Sequence, residues 1–185
     1  MSGIAELLEL ERDVVLACVD ALHAVVYTAS DGRVFTFHAS FPDFMQDKKR
    51  SRGYLQKFVK GVETREEVDM FCDIQMQHKF LVHHCFALMK KLCFNICDHP
   101  SSFQLDQHVD GLDERVKQRI TEGLCYACQF WGAHLRFCEG HAMLNDVWTF
   151  LQEKLLFWFE AMNLVKKLAD CGKILANVEQ WCKVM

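Results

Sequence analysis

Apolar residues return every third or fourth position through most of this chain. Leu81, Cys85, Leu88, Leu92 and Ile96 make one series, and Ile120, Leu124, Cys128, Trp131 and Leu135 make a second. A third runs through Leu144, Val147, Trp148, Leu151, Leu155, Trp158, Phe159 and Met162. This spacing is that of an α-helix with one face turned to a core. In the third series Phe150, Leu156 and Phe157 add a second apolar face, which predicts a helix covered on two sides. Leu112-Asp113-Glu114-Arg115 puts acids in a helix's first turn, where the helix dipole favours them. Gly172 is expected to cap a helix ahead of a last one that ends near Trp181. The pattern reads as helical from about Glu63 onward, so residues 63–185 are expected to form a multi-helix bundle.

The first 47 residues follow a different rhythm. "IAELLEL" is a short amphipathic helix, and "RDVVLACVDALHAV" a second with Val15, Cys18, Val19 and Leu22 on one face. "AVVYT" and "RVFTFH" then read as two short strands around "ASDG". Asp31-Gly32 suits a hairpin turn, because glycine takes a positive φ without steric cost. Ser40, with Pro42 in the first turn and Asp43 three residues on, resembles a capping-box helix start. Helix, turn, helix, hairpin, helix is the order of a winged-helix unit. Residues 48–62 ("KKRSRGYLQKFVKGV") read as a basic connector. The expected fold is therefore mainly α, with a small winged-helix-like unit carrying one β-hairpin (1–47), a connector (48–62) and a helical bundle (63–185). The two prolines, Pro42 and Pro100, both fall at expected boundaries, where they are tolerated.

Composition narrows the classes. The chain has 185 residues, of which 51% are hydrophobic and 25% charged, enough to fill a core and too apolar for wholesale disorder. No apolar run is long enough to span a bilayer. The start, "MSGIAELLELERD", has no basic segment and does not resemble a signal peptide. Ten cysteines sit within apolar helical patterns, which suggests reduced, mostly buried thiols in a cytoplasmic protein. Net charge is −4. Residues 1–38 hold six acids (Glu6, Glu9, Glu11, Asp13, Asp20, Asp31) against Arg12 and Arg33. A DNA-reading helix needs bases to neutralise phosphates, so nucleic-acid binding is not expected, despite the basic residues of the connector.

Candidate chemistry is sparse. Cys125 and Cys128 form a CxxC, Cys93 and Cys97 lie one turn apart, and His83, His84 and Cys85 are adjacent. Zinc needs four ligands converging on one point, and these thiols fall within apolar stripes with no second CxxC, so no metal is expected. A thioredoxin-type site needs its CxxC at a helix start after a strand, whereas Cys125 falls about one turn inside a helix. His134 and His141 flank a loop and are expected to face solvent. There is no GxxxxGK[ST] phosphate loop and no Ser/His/Asp pattern, so neither a cofactor nor catalysis is expected.

Four segments occur together in order: "VLACVDALHAVVYTASDGRVFTFHASFPDF", "HHCFALMKKLCFNIC", "LCYACQFWGAHL" and "FLQEKLLFWFEAMNLV". They resemble the region that follows the NACHT nucleotide-binding domain in fungal NLR-like proteins of the STAND class, often ahead of WD repeats. The likeness runs from about Ile4 to Trp181. The family's "HxSFxDFL" element matches His38, Ser40, Phe41, Asp43 and Phe44, with Met45 in place of the usual leucine. Cys85, Cys97 and Cys128 also match family positions. The resemblance implies a non-catalytic regulatory and scaffolding module for signal transduction in innate immunity. Its partners would be the NACHT NTPase and repeat domains of a parent protein, with other proteins possible and neither nucleic acid nor membrane. The chain would then be a fragment lacking those domains. In such proteins the histidine after the wing hairpin reaches the β-phosphate of ADP, a role His38 would take in a complete parent. The same residues also allow a free-standing helical adaptor, or a metal or redox protein using the cysteines. Read by itself, His38 is a strand-end residue that bonds locally.

Overall fold

The computed structural model describes residues 1–59 and 62–184. Lys60 and Gly61 of the expected connector and Met185 at the end of the expected bundle lie outside the described residues. The protein is mainly helical. Helices α1 (Ser2–Leu7) and α2 (Arg12–Ala21) precede a hairpin of β1 (Val26–Thr28) and β2 (Val34–Thr36), then α3 (Ser40–Gln46). A second hairpin, β3 (Arg52–Val59) and β4 (Val62–Asp69), leads to α4 (Ile74–Met89), α5 (Leu112–Arg119), α6 (Glu122–Leu135), α7 (Leu144–Glu153), α8 (Leu155–Leu164) and α9 (Cys171–Val184).

The core centres on α6, which packs against α4, α9, α1 and α8. Thr121 caps α6 by accepting the N–H of Leu124 at 3.3 Å, and Asp73 caps α4 through the N–H of Met76 at 3.0 Å. Cys85, Met89, Leu124, Cys128, Trp131, Leu135, Trp158 and Met162 are fully or almost fully buried. Two tryptophans tie helices to α6 and the turn after it: Trp158 Nε1 donates to the Cys128 carbonyl at 2.9 Å, and Trp181 Nε1 to that of Cys138 at 2.7 Å. Gly132 lets α9 approach closely, since a Cβ there would stand 2.8 Å from Ile174 Cγ2 and 2.9 Å from its carbonyl oxygen.

α1 joins this core through Leu7 and is clamped to α6 by exchanged carboxylates. Glu6 accepts the N–H of Gly123 at 3.2 Å and the Lys91 ammonium at 3.1 Å, while Glu122 accepts the N–H of Gly3 at 3.1 Å. Burial of Glu6 opposes its ionisation. Bonds to Thr121 and Lys91, the Lys91 charge and the Gly123 N–H outweigh that and hold its carboxyl below the usual range.

Several elements differ from expectation. Residues after Glu63 continue a strand rather than start a helix, and the connector supplies its partner. Arg52 faces Asp69 and Tyr54 faces Glu67 in the ladder. A basic strand beside an acidic one pairs favourably, a cross-strand signal that helical periodicity does not register. α4 ends at Met89, so Leu92 and Ile96 are buried without being helical. The long third series breaks at Lys154, whose ammonium caps the Leu92 carbonyl at 2.9 Å. Trp148 (63% exposed) and Leu156 (77%) face outward there, so the second apolar face is only partly covered. Gly172 lies inside α9; the stop before it is a left-handed Lys166 (φ 60°) after α8. There Lys167 N–H bonds the Met162 carbonyl and Lys166 N–H that of Asn163, a Schellman closure. On α2 only Val15 is buried; Cys18 and Leu22 are exposed and Val19 is half-buried.

Candidate interaction face

The β1–β2 hairpin alternates a covered side with an open one, except that Thr28 at the end of β1 is exposed. Val26 pairs with Thr36, Tyr27 with Phe35 and Thr28 with Val34. Val26 is buried and Val34 and Thr36 are half-buried on one side. Alternation then forces Tyr27, Phe35 and Phe37 to the other side. Their rings stand together, 5.6 Å from Tyr27 to Phe35 and 5.0 Å from Tyr27 to Phe37. They are 43%, 39% and 63% exposed.

The turn holds this ladder in register. Ala29 N–H bonds the Arg33 carbonyl at 2.8 Å, and Gly32 closes the loop at φ +80°. Asp31 accepts the Arg33 N–H at 3.1 Å and its Nε at 2.7 Å. These bonds hold the Asp31 carboxyl below its ordinary range, the Arg33 N–H first and its guanidinium second. The guanidinium lies 5.3 Å over the Phe35 ring and extends the face by a cation. Beside the ladder, a groove of ≈ 560 Å³ runs between α1, the hairpin and α4, lined by Ile4, Leu7, Leu8, Val34, Leu81 and Tyr126. On α2, Val14 and Leu22 are exposed, and Glu11, Asp13 and Asp20 form no ion pair among the described residues. Three clustered aromatics on the solvent side of the hairpin suit an apolar partner.

His38 follows the ladder and is exposed. Its Nδ1 accepts the N–H of Ser40 at 3.0 Å and lies 2.7 Å from the Ser40 hydroxyl. An accepting Nδ1 puts the ring proton on Nε2, which makes His38 the group that starts α3. Ser40 was expected to cap α3; it is instead the first helical residue, with its hydroxyl turned back to His38. Asp43 is exposed in that first turn, and Phe41 and Phe44 are half-buried.

The other polar constellation was not legible as one. His134, expected in solvent, is half-buried on α6. Its Nε2 meets the Tyr126 hydroxyl at 2.7 Å, and its Nδ1 meets His78 Nδ1 at 2.8 Å. Burial, and next the neighbouring His78, lower the His134 pKa to about 4. Burial lowers that of His78 too, and raises that of Tyr126. His78 and His134 lie 56 residues apart, so no local spacing could have joined them.

The ten cysteines are free thiols: Cys85, Cys97, Cys128, Cys138 and Cys171 are buried, Cys72 and Cys125 half-buried, and Cys18, Cys93 and Cys182 exposed. Burial pushes Cys85 up to about 12 and raises Cys128 further. Among the described residues no group of three His, Cys, Asp or Glu converges in a way that could hold a metal ion. No helix among them is long and apolar enough to cross a membrane.

No protein-family model matches the chain, and searches of curated proteins and of solved structures find no match. The aromatic face is thus described by its own geometry. Sequence reasoning missed it, although the signal was present: Phe35 and Phe37 at a spacing of two, opposite Tyr27 across a recognisable turn.

Proposed function

We propose that this chain is a non-catalytic regulatory and scaffolding module of a fungal NLR-like NACHT signalling protein, acting in the cytoplasm through protein contacts. The observation that carries the reading is the hairpin: three clustered rings stand on the solvent side of a wing-like hairpin in the order of elements expected from the resemblance. A soluble domain does not keep such rings together in water unless they meet a partner. In the complete protein that partner would be the NTPase domain, and His38 would bring its free Nε2–H toward the ADP phosphate. The bond from Ser40 to Nδ1 favours this, because it fixes the tautomer that can donate. A free-standing adaptor is the second reading, favoured by the groove beside α1, which can take an apolar side chain without any NTPase domain.

The test is the rate at which ADP leaves a NACHT-containing parent, wild type against His38→Ala. A ligand biases a switch only through contacts that differ between its states. Faster release from the variant supports the reading. An unchanged rate removes His38 as a sensor and leaves it as the residue that starts α3.

A further inference from the structure

We infer that the free edge of β2 takes an extended segment of a partner protein as a third strand, whose apolar side chains fill the groove beside α1. The inference rests on the reading of this groove as a protein-binding surface and does not depend on the NACHT assignment.

The phase of the hydrogen bonds fixes where the edge points. Ala29 N–H bonds the Arg33 carbonyl at 2.8 Å, and Phe37 N–H bonds that of Val25 at 3.0 Å. In an antiparallel ladder, pairs that exchange bonds alternate with pairs that do not. Tyr27–Phe35 is therefore the bonded pair between those two, and Thr28–Val34 and Val26–Thr36 are the unbonded ones. The N–H and C=O groups of Val34 and Thr36 thus turn away from β1, to the outer edge of β2. The sheet ends there, with no third strand among the described residues. No other group among them bonds the backbone of Val34 or Thr36. Two donors and two acceptors are left, in sets two residues or about 7 Å apart.

The groove lies along this edge. From the hairpin it is lined by Gly32, Arg33, Val34 and Phe35, and by no residue of β1. Val34 and Phe35 project to opposite faces of the sheet, yet both line the groove, so it meets β2 edge-on. Its far wall is apolar, with Ile4 and Leu8 of α1 and Leu81 of α4. That wall is held in place, because Glu6 and Glu122 exchange backbone contacts between α1 and α6.

Backbone and groove together select the occupant. An extended chain offers free N–H and C=O groups at the spacing of Val34 and Thr36, whereas a helix uses its own internally. In an antiparallel third strand, the residues opposite Val34 and Thr36 share their face and turn to the covered side of the sheet. The residue between them lies beside Phe35 and extends the Tyr27–Phe35–Phe37 face. The partner segment is thus three consecutive apolar residues in extended form, with no proline at a paired position. A second copy is a poorer occupant, since its β2 has only three residues and its own α1 stands beside the same edge.

Selection of displayed random decapeptides on the purified full chain tests this. Selected peptides should share an apolar run and lack proline within it. N-methylation of a synthesised binder should weaken it about tenfold at alternate residues of the run and less than about twofold at the intervening ones. In the free chain the amides of Phe35 and Phe37 should exchange with solvent slowly and those of Val34 and Thr36 fast; the peptide should slow the latter pair. Val34→Pro removes an outward donor that the ladder does not use, and should weaken binding about tenfold with circular dichroism unchanged. If that variant fails to fold, Ile4→Asp on the exposed wall takes its place and should weaken binding equally. Failure to select any peptide, N-methylation without alternation, or slow exchange at Val34 and Thr36 in the free chain would each overturn the inference. None of these outcomes touches the NLR-like assignment, which depends on the coding sequence around this chain.

Discussion

Acidification should loosen the contact between α4 and α6 through the histidine pair. Folded His134 titrates at about 4, against 6.5 for a free imidazole. A histidine with a depressed folded pKa contributes stability that is whole above 6.5 and is lost as pH falls toward 4, because the unfolded chain takes up the proton first. At ~1.36 kcal/mol per pH unit the full difference is worth about 3 kcal/mol. The ring is only partly buried, so solvent screening is taken to reduce that to about half. Between pH 7.5 and pH 5.0 the expected loss is about 1 kcal/mol from His134. His78 adds to it with the same sign. The bond at 2.8 Å between the two Nδ1 atoms needs one of them unprotonated, so a second proton on the pair breaks it. The assay is urea denaturation at both pH values for wild type and His134→Gln. The variant should lose less stability on acidification, by about 1 kcal/mol. Equal losses in the two proteins, or a wild type that gains stability at pH 5.0, would refute the argument.

Two glycine substitutions should act in opposite directions. Gly132→Ala drives a Cβ to 2.9 Å from the Ile174 carbonyl and should cost about 1–2 kcal/mol in denaturant melts after its helix-propensity gain. Gly172→Ala meets nothing within 4 Å in α9 and should add up to about 0.5 kcal/mol. A thiol reagent should modify Cys18, Cys93 and Cys182 within minutes and leave Cys85 and Cys128 until the protein unfolds; rapid labelling of either buried thiol would contradict the packing. His38→Ala in this chain should shift stability by less than about 1 kcal/mol, because it loses only local bonds to Ser40; a larger loss would make His38 a structural group first.

The helical core was legible because burial has a period. Cys85, Leu124, Cys128, Trp131 and Trp158 were read as core from spacing alone, and all are buried. The β1–β2 hairpin was legible because Asp31-Gly32 admits few other geometries. What failed were features that spacing does not encode. The stop at Lys166 uses a lysine where glycine would be expected, so it carries no composition signal. Leu92 and Ile96 kept their buried places although α4 ends at Met89, and Asn95 and Asp98, at φ 52° and 50°, turn the chain again beyond that end. The β3–β4 ladder depends on opposite charges meeting across two strands, a relation between segments rather than within one. The His78–His134 pair has the same character. On the candidate face, His38 bonds locally to Ser40, and Ser40 is the first residue of α3 rather than its cap.

The central claim, that this chain is a regulatory module of a NACHT protein, is tested most directly by long-read sequencing of the transcript that encodes it. The account predicts an open reading frame that continues upstream of Met1 in frame and encodes a GxxxxGK[ST] phosphate loop ahead of the winged-helix-like unit. A mature transcript that encodes residues 1–185 alone, with no such loop in frame, would contradict it and leave the adaptor reading in its place.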